Sequence, residues 1–505
     1  MRVTTTMINN SMLNQITSNK NSMYSLEEQY NSGKRIQRPS DDPIIAVRSL
    51  KLRSTITEVT QYLEKNIPDA RSWMELTEGS LKNMNTIFTN VYADMSKGAN
   101  DTLTTSDRST ILANLNQFRE QIYNEANADN AGRYVFAGYK TNNSITFNEK
   151  EAELKYTITE KISGSDITQL SKVIGGYAID EYDANNPDAS LFETSPSVKD
   201  DIFKIQLGYS AIESGSINSD TITYTVVDED GNEEVKSISE LGFNVTEVFV
   251  EDSSAYDVAV DEIRYIAKTG EVIMGSEVYE ELRTQGDGHI GITYNKNEFE
   301  AGEVKPEHYY DCVVEDALGE KIDYKYSEQE IFYEINFAQK IRVNSTLDSV
   351  IGNDFARTIE NINNIVKQVS KIETDLEDVE KLLSDDKITV EQREALEKFK
   401  VQKEAEYAMQ SNLMTRAFED GLKLTSDYQE QVNISVSDLG SRLSRLNLVE
   451  DRLETQSTSY TELLSENEDA DIVDTYIKLS AAESIYNASL QIATKIAQTS
   501  LLDYL

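Results

Sequence analysis

No proline follows Pro306, and in that stretch apolar residues recur at alternating steps of three and four. Proline is the strongest helix breaker, because it lacks an N–H and its ring clashes with the preceding turn. The pattern is clearest at Phe355, Ile362, Ile365, Val369, Ile372, Leu376, Val379 and Leu383, where the steps from Ile362 onward run 3, 4, 3, 4, 3, 4. Such a seam, with Asn, Lys, Glu and Asp on the other faces, predicts a coiled-coil rod and not a globule. A second seam at Val432, Val436, Leu439, Leu443, Leu446, Leu453, Tyr460 and Leu464 keeps this register, with polar Glu450 and Ser457 at two positions. Residues 391–425 are rich in the good helix formers Glu, Lys, Gln, Ala and Leu, so a helical hairpin turning near 384–387 is expected.

The other prolines are Pro39, Pro43, Pro68, Pro187 and Pro196, which leaves the stretch between Pro68 and Pro187 free for a second set of long helices. Met12, Ile16, Met23, Leu26 and Tyr30 form one stripe with Asn19 at the remaining seam position, and Leu52, Ile56, Val59 and Leu63 continue it after a break. Met84, Ile87 and Val91 extend the pattern. Thr105, Ser106 and Asp107 offer N-caps for a run through Ile111, Leu115, Phe118 and Ile122. The chain closes on Ile472, Tyr476, Leu479, Tyr486, Leu490, Ala493, Ala497 and Tyr504. Both ends are therefore expected to be helices whose apolar face needs a partner.

Between about 144 and 343 the period falls to two. Thr221-Ile222-Thr223-Tyr224-Thr225-Val226-Val227 leads to a turn at Asp230-Gly231 and a return from Val235 to Ile238. Tyr265-Ile266-Ala267 and Val272-Ile273-Met274 flank a second turn at Lys268-Thr269-Gly270-Glu271, and 310–314 and 322–326 flank a third at Leu318-Gly319. The expected fold class is α+β: a long helical coiled-coil rod formed by the N- and C-terminal segments, with an inserted β-rich domain. The expected divisions are 1–42 (terminal helix and joint), 43–148 and 344–464 (the two halves of the rod), 149–343 (β-rich domain) and 465–505 (last helix).

Composition narrows the function. Against 48 Lys and Arg stand 89 Asp and Glu, a net charge of −41, which repels nucleic-acid phosphates and anionic membranes. No apolar run approaches the roughly 20 residues needed to span a bilayer, so no membrane insertion is expected. The first twenty residues lack the apolar middle of a secretory signal, so the protein stays in the cytoplasm unless exported by a route that reads no such signal. With one cysteine, Cys312, and two histidines, His289 and His308, no intrachain disulfide and few metal or triad arrangements are available.

The apparent chemical motifs are weak. Gly286-Asp287-Gly288-His289-Ile290-Gly291 matches G-x-G-x-x-G, but the strand-like Ile292-Thr293-Tyr294 follows where a dinucleotide site needs a helix, so it reads as a β-turn. His308 and Cys312 lack further ligands nearby, and Asp228-x-Asp230-Gly231 lacks the closing Glu of a calcium loop. Paired acids carry no information in so acidic a chain. No catalytic, cofactor-binding or metal residue is assigned, and the chain is not expected to be an enzyme.

One segment stands apart: Ser32-Gly33-Lys34-Arg35-Ile36-Gln37-Arg38-Pro39-Ser40-Asp41-Asp42-Pro43. Gly33 and Pro39 interrupt the first stripe, and Ser40 or Asp41 can cap a new helix that holds Pro43 in its first turn. Read alone, it is as well explained as a linker with local salt bridges. Together with the Met1-Arg2-Val3-Thr4 start, Asn130-Ala131-Gly132-Arg133-Tyr134-Val135-Phe136-Ala137-Gly138, Ser465-Glu466-Asn467-Glu468-Asp469-Ala470-Asp471 and the ending Ser500-Leu501-Leu502-Asp503-Tyr504-Leu505, it resembles the flagellin superfamily. Flagellin itself usually has Ala-Lys before the paired Asp and Ala-Ala-Gly after it; Arg38-Pro39-Ser40 and Pro43 here are closer to members that join hook to filament. The resemblance covers about 1–148 and 430–505; the middle carries no matching motif, and 384–431 and the β-rich domain are larger than it implies.

The resemblance implies an extracellular structural subunit of the bacterial flagellum, exported unfolded without a cleaved signal peptide, with an export chaperone on its C-terminal helix. It implies a homo-oligomeric ring seated against a neighbouring hook-associated protein and flagellin-type axial proteins. It assigns an assembly joint to Gly33, Lys34, Arg35, Ile36, Pro39, Ser40, Asp41, Asp42 and Pro43, and axial seams to Met12, Ile16, Met23, Leu26, Tyr30, Ile472, Tyr476, Leu479, Tyr486, Leu490 and Tyr504. Two rivals are a filament-forming flagellin and, from another class, an adhesin or glycan-binding module on a helical stalk.

Overall fold

The computed structural model describes all residues other than 1–4, 101–102, 150–153, 178, 180–181, 183–191, 228–232, 251–254, 285–288, 317, 328, 386 and 503–505. The chain forms two compact units: Met1–Arg71, Tyr333–Ile341 and Leu443–Leu505 in one, Ser72–Phe332 and Arg342–Arg442 in the other. In order, the elements are α1 (Thr5–Ser32), α2 (Pro43–Gln61), α3 (Ile67–Gly98), α4 (Thr105–Ala126), the ribbon β1 (Asp129–Asn130) and β2 (Arg133–Tyr134), β3 (Lys155–Ile162), β4 (Thr168–Ile174) and β5 (Ser197–Gln206). There follow β6 (Ile222–Val227), β7 (Glu233–Ser237), β8 (Asn244–Glu247), β9 (Glu262–Ile266), β10 (Glu271–Met274), α5 (Ser276–Arg283), β11 (Ile290–Lys296), β12 (Asp311–Glu315), β13 (Lys321–Tyr324), β14 (Phe332–Asn336) and β15 (Gln339–Arg342). The chain ends in α6 (Asp354–Leu383), α7 (Val390–Glu468) and α8 (Ile472–Leu502).

Pro68 does not end the helix it enters. A π-turn over Tyr62–Asn66 joins α2 to α3, with the Ile67 N–H donating to the Tyr62 carbonyl. The wider turn accommodates a residue that has no N–H and needs room for its ring. Thr104, one residue before the three expected caps, caps α4 in a reciprocal box with Asp107.

In the larger unit α3, α4, α6 and the first part of α7 share one helical core. Phe88 is fully buried, edge-on to Phe355 at 5.5 Å and stacked with Tyr428 at 6.1 Å between centroids. Of the first predicted seam, Ile362, Val369, Ile372 and Val379 are buried while Ile365, Leu376 and Leu383 are half-buried. Ser384 caps the end of α6, so the hairpin turn lies where the composition put it, and α7 is a single helix of 79 residues.

Among the described residues the β-rich part holds two large sheets, and β14 pairs with β15 in a separate two-stranded ribbon. One large sheet has strand order β13-β12-β3-β11-β6-β7 and is antiparallel throughout; the other has order β4-β5-β10-β9-β8, with β8 and β9 parallel. The three hairpins read from the sequence are β6/β7, β9/β10 and β12/β13. The Asp230-Gly231 turn and residues 286–288 lie outside the described residues. Ile158, Ile222, Ile292 and Tyr294 from the first sheet meet Ile263, Tyr265 and Val272 from the second in one apolar cluster. Cys312 and His308 are buried at its margin, and burial pushes the His308 imidazole down to about 3.

Glu160 of β3 is buried, accepting hydrogen bonds from the Tyr294 hydroxyl and, at 2.9 Å, the Gly208 N–H. Burial pushes its carboxyl up to about 7, against the lowering effect of those two donors and of Arg357. The folded state thus keeps a proton that the unfolded chain releases above the ordinary carboxylate range, so stability falls as pH rises through that window. Urea unfolding should show the larger unit losing about 3 kcal/mol between pH 4.5 and 7.5, with Glu160→Gln flattening the profile. Phe88→Ala should cost the same unit about 3–5 kcal/mol by the same measurement.

Candidate assembly site

The smaller unit brings the two ends of the chain together. Ser32 ends α1 and Gly33 follows at φ +67, a left-handed conformation that favours glycine, with its N–H bonded to the Gln29 carbonyl at 2.9 Å. Lys34 then forms an antiparallel bridge with Asp469, between α7 and α8. The Arg35 N–H donates to the Glu468 carbonyl at 2.7 Å and the Ala470 N–H to the Gly33 carbonyl at 2.8 Å. Two crossings of the chain thus satisfy each other's backbone where two helices end.

Ion pairs reinforce that contact. The Lys34 Nζ lies 2.5 Å from Asp469 Oδ1 and 3.5 Å from Glu468 Oε2. Arg53 of α2 holds Glu468 with both arms, Nε to Oε1 at 2.8 Å and Nη2 to Oε2 at 2.6 Å. The Arg53 hydrogen bonds hold the Glu468 carboxyl below its usual range, the Lys34 ammonium does the same for Asp469, and both cations are raised in return. Asn467 is buried beside them, donating to Ser49 Oγ at 2.6 Å and to the Ile45 carbonyl at 3.1 Å.

The rest of the joint is a compact turn. Asp41 Oδ2 accepts the N–H groups of Gln37 at 3.1 Å and Arg38 at 2.8 Å. Asp42, and neither Ser40 nor Asp41, is the N-cap of α2, accepting from Ile44 and Ile45 with Pro43 as the first helical residue. Ile36 is half-buried, and Arg35, Arg38, Pro39 and Ser40 are exposed. Asp471 accepts the Val473 and Asp474 N–H groups and so caps α8, whereas 465–468 are the last turn of α7.

α1 and α8 run antiparallel. Asn19 Nδ2 donates to Ser489 Oγ at 2.8 Å, and the Tyr30 and Tyr476 rings stand 5.8 Å apart. Met12, Ile16, Met23, Leu26, Leu479 and Tyr486 are half-buried along this pair. Tyr30, Ile472, Tyr476 and Leu490 remain exposed, and Tyr504 lies outside the described residues. Val473, Ile477, Ile485 and Ile492 of α8 and Met7, Ile8 and Leu13 of α1 are exposed too. α8 is thus apolar around much of its circumference, the signature of a helix covered on more than one side.

With this geometry established, comparison with known proteins gives it a context. The family of the bacterial flagellin N-terminal helical region matches residues 3–141. Over this region the chain is similar to bacterial flagellins. Proteins named Flagellar hook-associated protein 3 from Salmonella typhimurium and Escherichia coli are 34% identical over 143 residues and 33% identical over 152 residues. Those matches take in 28% and 30% of this chain and 44% and 47% of theirs, so the chain matches about half the length of these relatives. A protein named Flagellin from Clostridium tyrobutyricum is 32% identical over 121 residues, 24% of this chain and 32% of its own.

Among the described residues no cluster of His, Cys, Asp and Glu is arranged to hold a metal, and no helix is long and apolar enough to cross a membrane. What the smaller unit offers is a joint and two helices with exposed apolar side chains. Because Glu468 and Asp469 titrate below their unfolded values, the joint's ion pairs stabilise the fold fully above the ordinary carboxylate range and fade as pH falls through the lowered values. Arg53→Ala should therefore cost the smaller unit about 1–2 kcal/mol at pH 7 in urea unfolding, and the gap to the parent protein should narrow as pH falls below the ordinary carboxylate range.

Proposed function

We propose that the chain is an extracellular structural subunit of the bacterial flagellum, an adaptor joining hook to filament by folding its terminal helices on assembly. The observation that carries this reading is the surplus apolar surface of α1 and α8, in a chain whose residues 3–141 match the bacterial flagellin N-terminal helical region. A lone helix pair of this kind is marginal in water, and ordering costs ~1–2 kcal/mol per residue of backbone. Neighbouring copies in a ring supply the missing cover, with a hook-associated protein on one side and flagellin on the other. Inside the cell an export chaperone covers the apolar C-terminal helix, and the chain leaves unfolded through the flagellar export route. The joint from Gly33 to Pro43 passes the chain from the inner helical layer to an outer one.

The names of the two enteric relatives support the adaptor; the clostridial match supports a second reading, a filament-forming flagellin. Arg38-Pro39-Ser40 and Pro43 favour the adaptor. A strain lacking the gene should keep its hooks and shed filament subunits into the medium, and the full chain should restore filaments while a chain lacking 472–505 should not. Normal filaments in the deletion strain would refute the adaptor. A band dominating sheared flagella on a gel would favour the filament subunit.

A further inference from the structure

We infer that the outward face of α2 docks, head to tail, on the outward face of the last turns of α7 in a second copy of this chain. The inference rests on the adaptor reading and names the surface by which copies would meet. α2 turns Ala46, Ser49 and Val59 inward, and Asn467 of α7 bonds to this side through Ser49 and the Ile45 carbonyl. Its other side carries Ile44, Val47 and Leu50 at 81%, 67% and 64% exposure, with exposed Arg48 and Lys51 among them. Three aliphatic side chains and two cations on one short face are unusual in a chain of net charge −41.

α7 carries the complementary character. Leu446, Val449, Leu453 and Asn467 are buried on its inner side. Its outer side shows Leu448 at 72% exposure with exposed Arg445 and Arg452 one turn to either side of it, and, nearer the joint, exposed Leu463 beside the exposed carboxylates of Glu462 and Glu466, which are the acidic part of this face. The inner sides of α2 and α7 meet each other, so the two outer sides point apart and one chain cannot lay its basic face on its own acidic face. Two copies can. Unlike patches on opposite sides give a heterologous contact, which closes into a ring when its rotation divides a full turn. The aliphatic residues supply the area removed from water and the charges set register and reject the like-charged face.

The test uses the full chain, produced in the deletion strain, with the protein quantified in sheared, washed flagella. Arg48→Glu with Lys51→Glu, and separately Glu462→Lys with Glu466→Lys, should each lower incorporation roughly tenfold or more, and the four changes together should restore most of it. Restoration also shows that the exposed changes leave the chain folded. Unchanged incorporation in either double variant overturns the interface. Loss without restoration also overturns it, and points to a hook or filament protein as the occupant of the α2 face. Absence of the parent chain from flagella would remove the adaptor reading and the interface with it, whereas the other two failures leave the adaptor standing.

Discussion

The smaller unit depends on the meeting of segments from opposite ends of the chain. Lys34 and Asp469 are 435 residues apart, yet they share a backbone bridge, an ion pair and adjacent helix ends. Closing so long a loop costs only about 5 kcal/mol in chain entropy, because the cost grows with the logarithm of length. A domain as large as the one between β3 and β15 can therefore sit inside the chain without forbidding the contact. What the contact requires is local: a glycine that takes a positive φ, a carboxylate between two cations, and backbone groups left over where helices stop.

The two units differ in how completely they bury their apolar residues. The larger one closes a helical core around Phe88, Phe355 and Tyr428 and a second core between its sheets. In the smaller unit, α1 has no fully buried described side chain, and α8 buries only Thr475 among its described side chains. That contrast sets a unit with a closed apolar core apart from one whose helices leave much of their apolar surface exposed, which is the surface the proposed assembly would cover.

Much of this was legible in the sequence because helices repeat. Val432, Leu439, Leu446 and Leu453 are seven apart and all are buried. Glu450, counted as a polar member of that seam, pairs instead with Arg71, and the neighbouring Val449 is buried. Caps were harder: Ser40, Asp41 and Asp42 all carry a capping oxygen, and the backbone turn, not the residue type, selects Asp42. Pro68 reads as a break and instead sits in the first turn of α3, just after a π-turn that widens the helix ahead of it. The parallel pairing of β8 with β9 left no trace, because pairing direction is not written in a two-residue period. The pairing of Arg53 and Lys34 with Glu468 and Asp469 was invisible because the partners lie more than 400 positions away. The stripe through Ile472, Tyr476 and Leu490 was found, but not that α8 has apolar residues on its other sides as well.

The central claim is that α1 and α8 gain their order from neighbouring copies, and amide hydrogen exchange measures it directly. Residues 5–32 and 472–502 of the purified single chain should exchange within seconds while α3, α6 and the sheets stay protected, and the same two segments should become protected in intact flagella. Equal protection of those helices in the solitary chain and in the assembled one would contradict the account.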